Sequence, residues 1–197
     1  MRKFAILTLL ALVCCNNSTD TTFLKSYSVQ HTEALAFCKS KNFNQHYYFL
    51  LDLSLHSGKN RFFVYDFKNK KVTDSKLVTH GSCDIVEANV AKWEKAKFSN
   101  TSDSHCSMKG KFSIGKRDFS NWGINVKYWL NGLENSNSSA VKRVVVLHSW
   151  NAVSDSEIYP KYSPLSWGCP AVSDAFMTQL DTKLQQSAQP VLLWIID

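Results

Sequence analysis

The chain has 197 residues, of which 44% are hydrophobic and 13% aromatic, a composition typical of one globular domain with a sizeable core. The charged fraction of 20% is too low for a disordered chain. The formal net charge of +7 comes largely from scattered lysines, and no nucleic-acid-binding motif accompanies it, so we exclude nucleic acid as a partner. We expect a monomer. Twelve Phe, seven Tyr and six Trp residues favour a strand-rich fold, because aromatic side chains fit a pleated surface.

The N-terminus has the pattern of a secretory signal, which we assign to residues 1–15. Two basic residues precede an apolar run over 4–13 that is too short to span a bilayer. Two cysteines follow, and their surroundings also resemble a bacterial lipoprotein signal, in which Cys15 would carry the lipid; both readings stay open. Residues 16–30 are predicted to form a flexible tether and residues 31–197 the folded domain.

The predicted secondary structure beyond the tether is mostly β. Hydrophobic spacing predicts a short amphipathic helix over 31–42 and a second helix over 174–186, capped by Ser173. The first three predicted strands are joined by short polar turns, which favours an antiparallel meander, and the run over 141–150 is typical of a central strand. Residues 80–113 are irregular, and long loops often carry function. The predicted strands cover residues 47–55, 61–67, 72–79, 111–114, 124–130, 141–150 and 191–196.

Three cysteines beyond the signal concern structure more than catalysis. Export permits disulfides, and Cys83 and Cys106 both fall in the irregular segment, so we predict that they are linked. The state of Cys38 stays open. A zinc site is the alternative, although an oxidising compartment disfavours thiolate ligands. Its ligands would be His80, Cys83, His105 and Cys106.

The stretch Ser-Trp-Gly-Cys-Pro at 166–170 indicates that the fourth cysteine, Cys169, is a nucleophile. Pro170 biases Cys169 toward an extended loop conformation, and Gly168 permits a tight turn that exposes its backbone N–H. His148, at the end of the strand before this loop, is the candidate base. We expect a thiol of low pKa, with His148 as the main cause and the N-terminus of the following helix as a second one.

These residues resemble the active-site signature of the L,D-transpeptidases, the YkuD-like enzymes of peptidoglycan, in which a histidine and a loop precede Ser/Thr-His-Gly-Cys. The resemblance is closer to the murein L,D-transpeptidase catalytic domain branch, whose last motif reads Ser-Trp-Gly-Cys-Pro-Ala, as at 166–171. Three further pieces match in the same order: Phe-Val-Tyr-Asp at 63–66, His-Gly at 80–81 and Phe-Ser-Asn at 98–100. The similarity runs from about residue 47 to the C-terminus.

The resemblance implies a mostly β, β-sandwich-like fold with a short N-terminal helix and one helix after the catalytic cysteine. It implies that Cys169 attacks a peptide carbonyl to form a thioester, with His148 as base and then acid. The carbonyl of Ser149 would hold the imidazole tautomer, and the N–H groups of Gly168 and Cys169 would form the oxyanion hole. Substrate-binding or supporting roles are expected for His80, Ser166, Trp167, Ser99 and Asn100.

For several of these residues a purely structural role is the alternative. Trp167 is expected to pack over the site, and Ser99 and Asn100 to be turn residues. Trp167 also replaces the family's usual histidine, and Pro170 follows the cysteine where an arginine is common, which leaves the substrate-carboxylate contact unassigned.

The expected function is that of a peptidoglycan L,D-transpeptidase or L,D-carboxypeptidase, without cofactor or metal, in the bacterial cell envelope. The protein would be periplasmic or held at the outer membrane by an N-terminal lipid, and its partners would be stem peptides. The alternative is a non-catalytic wall-binding or zinc-stapled binding module. Transfer to a stem peptide, transfer to a lipoprotein and hydrolysis share one thioester, and the sequence does not choose among them.

Overall fold

The computed structural model describes residues 26–83 and 93–197. The predicted signal, with Cys15, and the first part of the tether lie outside the described residues. None of the described helices is long and apolar enough to cross a bilayer. The described elements are α1 (Ser28–Lys41), β1 (Tyr47–Asp52), β2 (Phe62–Asp66), β3 (Lys71–Lys76), β4 (Gly110–Phe119), β5 (Val126–Gly132), a 3-10 helix (Asn135–Asn137), β6 (Val146–Ser149), β7 (Ala171–Val172), α2 (Asp174–Gln185) and β8 (Leu192–Ile196).

The eight strands form one mixed sheet that curves into a nearly closed barrel. Their order across the sheet is β3-β2-β1-β8-β4-β5-β6-β7. The first three strands form the predicted antiparallel meander, whereas β8 runs parallel to β1, and β7 runs parallel to β6. The predicted mostly β fold with one helix near each end is confirmed.

Strand β1 is buried on both faces, and this explains where the two helices pack. Phe49 and Leu51 point into the main core, which includes the apolar face of α2. Tyr48 and Leu50 point the other way, against α1. Side chains alternate between the two faces of a strand, and burying each large apolar side chain contributes about 1.5–3 kcal/mol. An uninterrupted apolar strand therefore needs cover on both sides.

Helix α1 begins at Ser28, three residues before the predicted start, and thus takes in the end of the predicted tether. It ends at Lys41, and the C-cap residue Asn42 adopts a left-handed conformation with φ of 58° and donates its N–H to the carbonyl of Cys38. Cys38 is a buried free thiol on this helix, and burial raises its pKa to about 12. It therefore acts as a small apolar residue of the core.

The predicted strand over 141–150 is correct only for Val146–Ser149. Val144 has a positive φ of 56° and donates its N–H to the carbonyl of Val141, 3.0 Å away, so the chain turns before the strand begins. Both valines are about half exposed. The strand is the second from one edge of the sheet and is paired on both sides, with β5 and with β7, which agrees with the prediction of a strand inside the sheet.

The predicted disulfide between Cys83 and Cys106 is confirmed, with the two Cα atoms 4.2 Å apart. Because the bond uses both thiols, they are not available as zinc ligands, and the alternative of a zinc site is wrong. Within 26–83 and 93–197, no group of three or more His, Cys, Asp or Glu side chains has a metal-binding arrangement.

Candidate active site

An open cavity of about 660 Å³ lies where β6 meets the loop that contains the Ser-Trp-Gly-Cys-Pro stretch. Three stretches of chain line it. The first is the end of β4 and the β4–β5 connection, residues 119–122, together with Lys127 of β5. The second is Val146 and His148 of β6, with Trp150. The third is the loop over 165–167 together with Cys169. Both predicted catalytic side chains, those of His148 and Cys169, therefore open onto one space.

The pairing of β6 with β7 brings these two residues together. His148 is in register with Ala171, and its N–H donates to the carbonyl of Pro170 at 3.3 Å. The residue just before Pro170 is Cys169, whose Sγ accepts the backbone N–H of Val146 at 3.4 Å. Residues 146 and 148 share one face of β6, because side chains alternate along a strand. Val146, His148 and Cys169 all line the cavity, so the thiol and the imidazole lie on the same side of the sheet.

The tautomer of His148 follows from its hydrogen bond. Its Nδ1 lies 2.9 Å from the carbonyl oxygen of Ser149, and a carbonyl can only accept, so Nδ1 carries the proton. Nε2 is then the basic nitrogen. Burial lowers the pKa of His148 below its ordinary value of 6.5, the bond to Ser149 opposes this shift, and the nearby Lys127 ammonium adds to it. The imidazole is therefore neutral and able to accept a proton at neutral pH.

The expectation of a low thiol pKa is wrong for the resting site. Burial raises the pKa of Cys169, and the Val146 N–H together with the Arg143 and Lys127 charges opposes this only in part. The helix that follows begins at Asp174, and its N-cap residue Ser173 accepts the N–H of Phe176. In the resting state the thiol thus keeps its proton, and a base must remove it.

The turn at Gly168 fixes the position of the nucleophile. Gly168 has φ of +100°, a conformation that side chains rarely adopt, and a Cβ there would lie 2.6 Å from the carbonyl oxygen of Cys106. Its N–H donates to Ser166 Oγ at 3.2 Å, so one of the two predicted oxyanion donors is engaged in the resting turn. For the Cys169 N–H, no hydrogen-bond partner lies among the described residues. It is the open donor of the predicted pair.

His80 is buried below this loop and does not line the cavity. Its Nδ1 lies 2.8 Å from Nη2 of the buried Arg61, and since guanidinium can only donate, Nδ1 accepts. Arg61 also donates to the carbonyl of Val78 at 2.8 Å. The carbonyl of His80 accepts the N–H of Ser166 at 2.9 Å. Through this backbone bond His80 holds the catalytic loop.

Trp167 stands at the mouth of the cavity and is 77% exposed, so it does not pack over the site as expected. Its ring centroid is 5.0 Å from that of His105, which covers part of one face. With Phe119 and Trp122, both more than half exposed, it gives the cavity an aromatic rim. Exposed aromatic groups around a cleft are typical of ligand sites.

Ser99 and Asn100 do not line the cavity, which agrees with their reading as turn residues. The side-chain amide of Asn100 donates to the carbonyl of Asn135 at 2.8 Å. The carbonyl of Ser99 accepts Nη1 of Arg143 at 2.6 Å, and Nη2 of the same guanidinium donates to the carbonyl of Cys106 at 2.7 Å. Arg143 thus ties the disulfide-bonded segment to the turn that precedes β6.

Two charged residues near the thiol were not singled out from the sequence. Arg143 lies inside an apolar run that reads as a strand, and nothing in that pattern marks a turn. Lys127 lies on the polar face of β5 and pairs in register with His148. Apolar and polar residues alternate along the sequence of β5, and this pattern places Lys127 on the polar face of the strand. The pattern does not show that this face lies beside His148.

The sequence matches the L,D-transpeptidase catalytic domain over residues 21–193. The chain belongs to this family. L,D-Transpeptidases act on peptidoglycan and form a cell-envelope family. The resemblance seen in the stretch 166–171 is therefore confirmed, while the role of each residue in this L,D-transpeptidase domain remains a proposal.

Several solved structures are similar to the chain. An L,D-transpeptidase from Xylanimonas cellulosilytica is 15% identical with a TM-score of 0.43, and the alignment covers 76% of this chain and 60% of that one. Bd1075 of Bdellovibrio bacteriovorus is 11% identical with a TM-score of 0.47, and the alignment covers 80% of this chain and 49% of that one. The helical cell shape determining protein Pgp2 of Campylobacter jejuni is 10% identical with a TM-score of 0.46, and the alignment covers 85% of this chain and 55% of that one. The chain thus spans about half to three fifths of these proteins. A search of the curated proteins finds no significant match.

Proposed function

We propose that the chain is a cysteine-dependent L,D-transpeptidase or L,D-carboxypeptidase that acts on peptidoglycan stem peptides through a thioester at Cys169. The observation that carries this proposal is the hydrogen bond from His148 Nδ1–H to the carbonyl of Ser149. It leaves Nε2 as the basic nitrogen of a residue that lines the same cavity as Cys169. A nucleophile needs a base, and a base needs a fixed tautomer.

In the first half-reaction, Nε2 of His148 takes the proton of the Cys169 thiol, and Sγ forms a bond to the peptide carbonyl carbon. The carbonyl oxygen becomes an oxyanion, which the Cys169 N–H stabilises by donating a hydrogen bond. The C–N bond then breaks as the imidazolium gives its proton to the leaving amine. The products are a thioester on Cys169 and a free amine.

In the second half-reaction an amine or water attacks the thioester and transfers its proton to His148. The imidazolium returns this proton to the departing thiolate. An amine acceptor gives a new peptide bond, and water gives a shortened stem peptide.

The charges around the site support thiolate formation in this scheme. Burial keeps the resting thiol protonated, so proton transfer to His148 accompanies attack. The positive charges of Arg143 and Lys127 both lower the pKa of Cys169 and thus favour the transient thiolate.

The proposal also includes the predicted cellular location of the protein. Residues 1–15 would direct export, with Cys15 lipidated in one of the two readings, and residues 31–197 would act in the envelope as a monomer. The predicted absence of a cofactor agrees with a mechanism that uses only Cys169, His148 and backbone groups.

Incubation with defined muropeptides, followed by mass spectrometry of the products, tests the proposal. We expect shortened or cross-linked stem peptides with the wild-type protein and neither product with Cys169→Ala or Cys169→Ser. Cys38→Ala is the matched control, because it removes the other free thiol among the described residues, and it should keep activity. Product formation by Cys169→Ala at the wild-type rate would refute the covalent mechanism. Binding of muropeptides without turnover by the wild type would favour the wall-binding alternative.

A further inference from the structure

Thr79 is a buried threonine whose side chain bonds to the catalytic loop on both sides of Pro170. It is 1% exposed and does not line the cavity. Its Oγ1 hydroxyl donates to the carbonyl of Cys169 at 3.1 Å and accepts the N–H of Ala171 at 2.9 Å. A hydroxyl has one proton to donate and two lone pairs that accept, so it makes both bonds at once. One side chain therefore holds the backbone before and after Pro170.

The backbone around Pro170 has fewer hydrogen bonds available to it than an ordinary strand, because proline has no N–H. The carbonyl of Pro170 accepts the N–H of His148 at 3.3 Å, and the carbonyl of Ala171 accepts the N–H of Thr79 at 2.9 Å. Successive carbonyls of an extended chain point in opposite directions. The segment after Cys169 is thus bonded to β6 on one side and to Thr79 on the other.

The chain that carries Thr79 is itself fixed at the residues on either side of it. The carbonyl of Val78 accepts Nε and Nη2 of the buried Arg61, at 3.0 and 2.8 Å. The carbonyl of His80 accepts the N–H of Ser166 at 2.9 Å. Because both neighbours are held, the Thr79 hydroxyl cannot follow a loop that moves away from it, and it acts as a rigid anchor.

The anchored carbonyl belongs to the same residue as the nucleophile and the open oxyanion donor. The direction of the Cys169 carbonyl and the turn at Gly168 together orient the residue within the site. Its Sγ then accepts the N–H of Val146 at 3.4 Å, and its own N–H has a fixed direction. An oxyanion donor is effective only when it points to the place where the negative charge develops. Without the Thr79 hydroxyl, Cys169 is free to rotate and this alignment is lost.

We propose that Thr79 is a positioning residue, whose hydroxyl aligns the Cys169 N–H with the developing oxyanion and so accelerates thioester formation without contact to the substrate. This inference rests on the proposed function. Because the oxyanion forms only as the reaction proceeds, the hydroxyl should affect the rate of acylation and not the binding of the intact peptide.

Single-turnover acylation by a stem peptide, followed by intact-protein mass spectrometry, tests this in the wild type, Thr79→Val, Thr79→Ala and Thr79→Ser. Valine keeps the shape of threonine without the hydroxyl, and serine keeps the hydroxyl. Alanine removes the hydroxyl without placing a methyl group against the Cys169 carbonyl, so a folding failure of Thr79→Val does not decide the outcome. Leu184→Ala is the matched control for lost stability, because Leu184 lies in the main core near the C-terminal end of α2 and does not line the cavity. Circular dichroism checks that each variant is folded at the assay temperature.

We expect the maximal acylation rate of Thr79→Val and Thr79→Ala to fall about 100-fold, the cost of displacing a reacting group by about 1 Å. The peptide concentration that gives half of the maximal rate should stay close to that of the wild type. Thr79→Ser should keep most of the wild-type rate, and folded Leu184→Ala should acylate as the wild type does.

Alkylation of Cys169 by iodoacetamide separates this role from a general loss of the thiol. In alkylation Sγ forms a bond to a saturated carbon and iodide leaves, so no oxyanion forms. Thr79→Val and Thr79→Ala should therefore alkylate at the wild-type rate. Wild-type acylation by either folded variant without the hydroxyl, an equal fall in Thr79→Ser or Leu184→Ala, or a parallel loss of alkylation would overturn this inference alone. A wild type that forms no acyl-enzyme with a stem peptide would overturn the proposed function and this inference together.

Discussion

Replacing Gly168 with Ala should damage both the fold and the reaction, because this glycine positions the nucleophile. Alanine at φ of +100° is strained by about 1–3 kcal/mol. Its Cβ would also lie 2.6 Å from the carbonyl oxygen of Cys106, a backbone atom that Arg143 holds in place. Such overpacking adds about 1–3 kcal/mol. The free energy of unfolding should therefore fall by about 2–6 kcal/mol, which for a protein of this size lowers Tm by roughly 4–24 °C.

Thermal unfolding by circular dichroism measures the loss of stability, and single-turnover acylation measures the effect on the site. Relief of the clash must move the turn, and a shift of about 1 Å in a reacting group costs about 100-fold in rate. Gly115→Ala on β4 is the matched control, because its Cβ would meet the movable side-chain amide of Asn131 at 2.5 Å. If Gly168→Ala unfolds within 1 °C of the wild type, about the precision of a melting curve, and acylates at the same rate, the argument from this turn is wrong.

Three further predictions concern the disulfide, pH and the buried arginine. Changing Cys83 and Cys106 together to Ser should lower the free energy of unfolding by about 3 kcal/mol in denaturant titrations, and acylation should slow because the Cys106 carbonyl abuts the catalytic turn; unchanged values for both would contradict this. The acid limb of kcat/KM should lie below pH 6.5, because burial lowers the pKa of His148 and only its neutral form accepts the thiol proton. The pH midpoint of iodoacetamide alkylation of Cys169 should lie above that of free cysteine, because burial raises the pKa of this thiol. An acid limb above pH 6.5, or an alkylation midpoint below that of free cysteine, would count against the assigned environments. Arg61→Ala should lower the free energy of unfolding by about 1–3 kcal/mol in denaturant titrations, because it leaves the buried Val78 carbonyl without its donor, and an unchanged free energy of unfolding would contradict that role.

Local signals predicted those elements whose pattern is complete within a few residues. The cap at Ser173 and the apolar spacing after it predicted α2 to within one residue at its C-terminal end. The predicted strand over 141–150 was too long, because β-branched residues favour a strand locally and the turn at Val144 depends on the surrounding structure. Strand β4 was predicted too short at 111–114, since its second half is polar and exposed. Strand β7, with two residues, has no periodicity to detect.

The candidate site divides in the same way. Cys169 and His148 were predicted because they belong to a recognisable motif. The Ser149 carbonyl was predicted because Ser149 is next to His148. The roles of Lys127 and Arg143 depend on which strand lies beside which, and no single stretch of sequence contains that information. The thiol pKa was predicted with the wrong sign, because the burial of Cys169 is a property of the folded cavity and outweighs the nearby charges.

The most direct test of the proposed mechanism is intact-protein mass spectrometry of the protein mixed with a stem peptide and quenched in acid. The mechanism predicts a mass increase equal to the acyl part of the peptide, without its leaving amino acid, and tandem mass spectrometry should locate it on Cys169. His148→Ala should accumulate this species much more slowly, and Cys38→Ala should accumulate it as the wild type does. Turnover of the peptide with no adduct under any quench time, or an adduct on another residue, would contradict the assignment of Cys169 as the nucleophile.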